Sequence, residues 1–151
     1  MIKSVLREAI LPRIDGIHKN LKKLAELGKL PLAEFSIGDP YDLAQHHLRL
    51  ALEGIFHISS HILSRLPGGR AVEYKEIAKK MGEAGLVPND FAIKSLVKMA
   101  GLRNILVHNY SEIVPKRLQS IVKNHLQDID LFLTHIKSFL KNPQKFGLKV
   151  E

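Results

Sequence analysis

The sequence predicts an all-α protein, built as an up-down bundle of four to five helices. Apolar residues recur at spacings of three and four along most of the chain, whereas no segment shows the strict alternation of a strand. Clusters of glycine and proline divide the chain into pieces of helical length. With 151 residues, 45% of them hydrophobic, the chain is expected to form a single helical domain over residues 1–151.

Residues 1–40 are predicted to contain the first helix and a connection. Pro12 lies within the apolar stripe of this helix and either kinks it or marks the start of its regular part. Gly28 is a plausible stop, and the proline- and glycine-containing stretch 29–40 has the composition of a connecting segment. The stripe consists of Ile10, Ile14, Ile17, Leu21 and Leu24.

Residues 41–140 form the predicted core, which begins with a long second helix over about residues 41–66. Its apolar stripe is flanked by a row that contains three histidines, which indicates that several neighbouring elements pack around this helix. The Pro67-Gly68-Gly69 sequence ends it. The flanking row consists of His47, Leu50, Gly54, His57 and His61.

Three more helices complete the predicted core. A short helix starts near Tyr74, and a fourth starts after Pro88 with Asn89 or Asp90 as its N-cap. A fifth helix is predicted to start at Pro115 and to continue to Phe139, because its apolar stripe is unbroken. Residues 141–151 are predicted to be a frayed polar tail.

The composition excludes several classes of function. The chain has no cysteine, which removes disulfides, thiolate zinc sites, iron–sulfur clusters and thiol nucleophiles. It has no apolar run long enough to cross a membrane and no signal peptide, so the cytoplasm is the expected location. The formal net charge of +8 favours an anionic partner such as nucleic acid, although it equally fits a soluble, lysine-rich protein.

The strongest local signal is a set of polar side chains at the end of the fourth helix. Arg103, Asn104, His108 and Tyr110 place a guanidinium, a carboxamide, an imidazole and a phenol within eight residues. On a continuous helix, His108 lies about 140° around the axis from Arg103, whereas Tyr110 lies within about 20° of it. Either the helix ends before His108, or another part of the protein, such as a symmetry-related chain, completes the site.

The spacing Arg-x-x-x-x-His-x-Tyr from Arg103 to Tyr110 resembles the motif of the HepT-like branch of the HEPN superfamily. The polar Asn104 after the arginine and the helix around Glu53 and His57 strengthen this resemblance, which covers about residues 41–140. It implies a HEPN-like fold and an endoribonuclease toxin of a type VII toxin–antitoxin pair. It also implies a homodimer with a shared cleft, and a minimal nucleotidyltransferase antitoxin that adds AMP to Tyr110.

Cleavage of RNA needs no metal or cofactor, because the 2′-hydroxyl of the RNA is the nucleophile. A histidine is suited to proton transfer at neutral pH, so His108 is the candidate general base or acid. The Arg103 guanidinium is the candidate phosphate clamp, and Asn104 is expected to orient a phosphate or the imidazole. Three residues of the second helix are further candidates for substrate binding, namely His47, Glu53 and His57.

Other interpretations of the same residues stay open at this point. The protein is alternatively a non-catalytic module that binds RNA, a nucleotide or an antitoxin, or a helical adaptor in which Arg103 and His108 only stabilise a dimer. His57 and His61 have the i, i+4 spacing of zinc-binding helices, but the sequence offers no obvious third ligand beyond Glu53, so no metal site is predicted.

Overall fold

The computed structural model describes residues 2–108 and 113–151 and confirms the all-α prediction. Two short strands and a 3₁₀ turn at Pro143–Phe146 accompany the helices. The helical elements are α1 (Arg7–Gly28), α2 (Leu32–Phe35), α3 (Asp39–Leu63), α4 (Tyr74–Glu83), α5 (Asn89–Phe91), a π-helical segment (Ala92–Leu96), α6 (Val97–His108), α7 (Pro115–Asn124) and α8 (Leu126–Lys141). Among the described residues, none of the helices is both long enough and apolar enough to cross a bilayer.

Helix α3 lies at the centre of the bundle and contacts α1, α4, α6, α7 and α8. Its fully buried side chains include Ile55, Ile58 and Ile62. The partner of α3 along most of its length is α1, which runs antiparallel to it. Gly54 permits this close approach, because a Cβ atom at Gly54 would lie 2.9 Å from Cγ1 of Ile17.

The ends of the first helices agree with the sequence in most respects. Helix α1 ends at Gly28, as predicted, and Pro12 lies inside it rather than at its start. Helix α4 starts at Tyr74, as predicted. The prediction that Asn89 or Asp90 caps the next helix is wrong, because Pro88 occupies the N-cap position and no side chain caps the helix.

The side chains of both predicted capping residues are used elsewhere. The Oδ1 atom of Asn89 lies 2.7 Å from the position that a Cβ on Gly82 would take, so Asn89 packs closely against α4. The carboxylate of Asp90 lies 3.5 Å from Nζ of Lys94. Beyond them the chain continues through the π-helical segment into α6, so that α5 and α6 follow one another without a turn.

The predicted fifth helix is two helices, α7 and α8, separated at His125. The backbone leaves helical geometry there, with φ −122° and ψ 3°. The amide of His125 donates to the Ile121 carbonyl (2.9 Å), and the carbonyl of His125 accepts from the Asp128 amide (3.2 Å). This bend lets α7 pack against α1 and α2 while α8 packs against α1 and α3.

The prediction of a frayed tail is also wrong. Strand β2 (Leu148–Val150) pairs in parallel with β1 (Lys3–Val5), in the register Lys3 to Leu148. Leu148 and Val5 are buried, and the Glu151 amide donates to the Val5 carbonyl (2.9 Å). Apolar burial and backbone hydrogen bonds therefore fix the tail against the start of the chain.

Candidate active site

Arg103 lies in a stack of three planar groups contributed by three helices. The central carbon of its guanidinium lies 4.3 Å from the centre of the Tyr74 ring, at the first residue of α4. Tyr74 also stacks on Phe56 of α3, with the ring centres 4.9 Å apart and the planes 8° from parallel. Phe56 is buried in the core, so the stack links the guanidinium to the interior of the bundle.

The polar neighbours of Arg103 are a carboxylate and a carboxamide. Its Nη2 lies 3.8 Å from Oε1 of Glu53 on α3, and its Nη1 lies 3.4 Å from Oδ1 of Asn104. Glu53 also accepts a hydrogen bond from Nη1 of Arg49 at 3.1 Å. The side chains of Arg103 and Glu53 are each 20% exposed, so both are largely shielded from solvent.

A pocket of about 490 Å³ opens beside this cluster. Two cations, Arg103 and Lys75, contribute to its wall, together with the carboxamide of Asn104. A guanidinium with an adjacent amide and ammonium group offers several N–H donors to an oxyanion, and phosphate oxygens suit them best. The pocket is lined by Val72, Glu73, Tyr74, Lys75, Arg103 and Asn104.

His108 is the last residue of α6 and is exposed to solvent. Because α6 is continuous from Val97 to His108, the interpretation in which the helix ends before His108 is wrong. Five residues of helix separate Arg103 and His108 by about 140°, so one chain presents the two side chains in different directions. Tyr110, the fourth motif residue, lies outside the described residues.

The histidine row of α3 faces α1. Nδ1 of His47 lies 3.0 Å from Oδ1 of Asn20, and Nε2 of His61 accepts a hydrogen bond of 3.0 Å from the amide of Leu6. The latter bond uses the lone pair of Nε2, which is therefore not free for a metal. Within residues 2–108 and 113–151, no group of three or more histidine, aspartate and glutamate side chains has the arrangement of a metal site.

Of the three candidate substrate-binding residues of α3, Glu53 and His57 lie near Arg103, whereas His47 does not. Glu53 contacts Arg103, and the charges of Arg13, Glu53 and Arg103 all act on His57. Burial is the main cause that lowers the pKa of His57, and the two arginines lower it further. His47 precedes His57 by ten residues, or about 15 Å along the helix, and its contact is with α1.

The sequence did not identify the aromatic part of the site. Tyr74 was predicted only to start its helix, and Phe56 was not a candidate site residue. Nothing in the local sequence pairs Tyr74 with Arg103, because 29 residues separate them and the contact arises only when α4 packs beside α6. The opposite charges of Arg49 and Glu53 at i, i+4 are the local sequence signal for the part of the polar cluster that lies on α3.

The fold resembles that of solved HEPN toxins. One such structure is described as a tri-AMPylated Shewanella oneidensis HEPN toxin in complex with MNT antitoxin. It matches with a TM-score of 0.78 and 24% identity, covering 87% of this chain and 98% of that one. A second structure, described as a toxin–antitoxin with AMP-PNP, matches with a TM-score of 0.76 and 22% identity, over 87% of this chain and 99% of the other.

Sequence comparison identifies the family more narrowly. The family model described as Ribonuclease HepT-like matches residues 17–136, so the chain belongs to the HepT-like ribonuclease family. A tRNA nuclease HepT from Aphanizomenon flos-aquae is 27% identical over 85% of this chain and 87% of its own length. An mRNA nuclease HepT from Shewanella oneidensis is 25% identical over 88% of this chain and 99% of its own length.

The contact between His61 and Leu6 predicts a dependence of stability on pH. Burial, with the nearby Arg65 and Arg13, lowers the pKa of His61, so the folded state favours the neutral imidazole that accepts the Leu6 hydrogen bond. The unfolded chain takes up its proton first, at a pH near 6.5, so the free energy of unfolding should fall as the pH decreases below that value.

Urea unfolding at pH 8 and pH 5.5 measures this effect, with His61→Gln as the comparison. A glutamine offers an acceptor oxygen but does not titrate, so the variant should lose less stability between the two pH values than the unmodified chain. An equal loss in both proteins would show that His61 does not contribute to the pH dependence.

Proposed function

We propose that this chain is the toxin of a toxin–antitoxin system and a metal-independent endoribonuclease that acts in the cytoplasm. The observation that carries the proposal is the Arg103 guanidinium, held at an open pocket on the same helix as His108. Membership of the HepT-like ribonuclease family supports it, as do two relatives named as a tRNA nuclease and an mRNA nuclease. The net charge of +8 is consistent with a polyanionic substrate.

The proposed reaction is a transesterification within the RNA. The 2′-oxygen attacks the adjacent phosphorus as its proton passes to a base, and the bond from phosphorus to the 5′-oxygen breaks as that oxygen receives a proton. The products are a 2′,3′-cyclic phosphate and a free 5′-hydroxyl. His108 performs the proton transfer, while Arg103 donates to the phosphate oxygens as negative charge develops on them. Asn104 orients the phosphate beside Arg103.

A homodimer supplies the geometry that one chain lacks. Helix α6 carries apolar residues on most of its surface, and a helix of this kind normally lies inside a protein. Val97, Gly101 and Ile105 of α6 are only partly buried on the side that carries His108, and Ile93 in the preceding π-helical segment is 57% exposed. We propose that a second copy covers this face, so that His108 of one chain approaches Arg103 of the other.

The remaining candidates have supporting roles in this proposal. Glu53 acts on the substrate through Arg103, whose guanidinium it partly neutralises, and His57 lies within the same field of charges. His47 is proposed only as a more distant contact for the RNA backbone, because its ring is engaged with Asn20.

RNA binding through phosphates should weaken steeply as salt increases.

Loss of either motif side chain should abolish cutting without unfolding the protein. With total RNA in the presence of EDTA, Arg103→Ala and His108→Ala should each reduce the cleavage rate by about 10²-fold or more, because general acid–base catalysis and charge stabilisation contribute factors of this size. Arg7→Ala and His18→Ala, which replace exposed side chains of the same types on α1, are the matched controls.

The rate of formation of 2′,3′-cyclic phosphate ends and the helical circular dichroism are the two measurements. Full activity of His108→Ala would rule out its catalytic role. Clean RNA binding with no cleavage by the unmodified protein would instead favour the non-catalytic binding module.

A shared active site should permit complementation between inactive variants. In a mixed dimer, the Arg103→Ala chain still has His108 and the His108→Ala chain still has Arg103. One of the two sites across the interface therefore has both side chains intact. Unfolding and refolding the two variants together should therefore restore part of the cleavage activity, whereas each variant alone stays inactive. No recovery from mixed dimers of confirmed composition would indicate that both groups act from one chain.

The proposed antitoxin is a minimal nucleotidyltransferase that silences the toxin by adding AMP to Tyr110. A complex with an MNT antitoxin and a tri-AMPylated state are both described for the Shewanella oneidensis HEPN toxin. Incubation with ATP and the cognate antitoxin should increase the mass by whole AMP units and reduce RNA cleavage. Tyr110→Phe should gain no such mass, and modification of that variant by an active antitoxin would assign the acceptor to another residue.

A further inference from the structure

The Arg103 guanidinium is held by an aromatic ring as well as by polar neighbours. Among the described residues, Asn104 and Glu53 are the polar neighbours of the guanidinium, and at 3.4 and 3.8 Å neither contact has the length of a normal N–H···O hydrogen bond. Glu53 also has a closer partner in Arg49, at 3.1 Å. The guanidinium also lies over the ring of Tyr74, with its central carbon 4.3 Å from the ring centre.

The ring of Tyr74 is itself held by the core and by its own helix. Phe56 is 1% exposed in the core, and it lies nearly parallel to Tyr74. Tyr74 is also the first residue of α4, so its backbone is fixed by the helix that packs against both α3 and α6. Phe56 and the start of α4 therefore restrain the ring over which the guanidinium lies.

We infer that Tyr74 is a positioning residue, whose ring fixes the plane of the Arg103 guanidinium so that its N–H edge meets the oxygens of the scissile phosphate. This inference rests on the proposed function, in which Arg103 binds that phosphate. Paired hydrogen bonds from a guanidinium to phosphate are directional, and they form only when the planes of the groups match. Arg103 also lines the open pocket, where its N–H donors can meet the substrate.

Two substitutions distinguish the role of the Tyr74 ring from that of its hydroxyl. Tyr74→Phe keeps both stacking contacts, whereas Tyr74→Leu keeps apolar volume and removes the aromatic face. We expect Tyr74→Phe to cleave RNA at close to the unmodified rate, and Tyr74→Leu to lose about tenfold in kcat, the size expected for a partly buried cation–π contact. The KM should change much less, because net charge and the bulk of the phosphate contacts are retained.

A double-mutant cycle tests whether the effect passes through Arg103. In an Arg103→Lys background, which removes the planar guanidinium, Tyr74→Phe and Tyr74→Leu should have equal activities. Three outcomes would overturn the inference: activity of Tyr74→Leu within about twofold of the unmodified protein, an equal loss in Tyr74→Phe, or an undiminished effect of Tyr74→Leu in the lysine background.

NMR spectra test the inference without relying on enzyme activity, and they also show whether each variant is folded. In ¹H–¹⁵N spectra, the Arg103 side-chain N–H signal should be displaced by the ring current of Tyr74 in the unmodified protein and in Tyr74→Phe. The displacement should disappear in Tyr74→Leu, while the backbone signals of α6 stay in place. An undisplaced signal in the unmodified protein would overturn the inference, whereas a displaced signal in a protein that cuts no RNA would overturn the proposed function instead.

Discussion

The close contact between α1 and α3 at Gly54 is the constraint on which the rest of the structure depends. A side chain at this position would overlap Ile17, so the approach of the two helices requires glycine. With α3 fixed against α1, Glu53 lies about 100° around the helix from Gly54, where it meets Arg103 of α6. The histidine row lies along the α1 side, where His47 and His61 contact Asn20 and Leu6. One helix thus supplies both the centre of the core and the acidic partner of the motif arginine.

The path of the helices was largely predictable from the sequence, because each of them buries one stripe of apolar residues. The stripes that contain Ile14 and Ile58 correspond to helices whose interiors are nearly solvent-free. The bend at His125 was not predictable, because the apolar spacing continues through it and neither glycine nor proline marks it. The strand pair was missed because three residues are too few to show alternation.

The candidate site was predictable in its chemistry but not in its support. Arg103, Asn104 and His108 are close in sequence and carry their own signal. Tyr74 and Phe56 reach Arg103 only through the packing of α3, α4 and α6, and contacts of this range leave no local pattern. The sequence left open whether the helix ends before His108. Helix α6 continues to His108, so the guanidinium and the imidazole point to different sides of a single chain.

The pairing of β1 with β2 also bears on how the chain reaches its native state. Lys3 and Leu148 are joined across almost the entire sequence, so their contact closes the largest loop in the molecule. The helices form from neighbours within a few residues, whereas this contact incurs a much larger entropy of closure. We therefore expect the helical bundle to assemble first and the strand pair to join it afterwards, so that the two ends of the chain are the last part of the protein to become ordered.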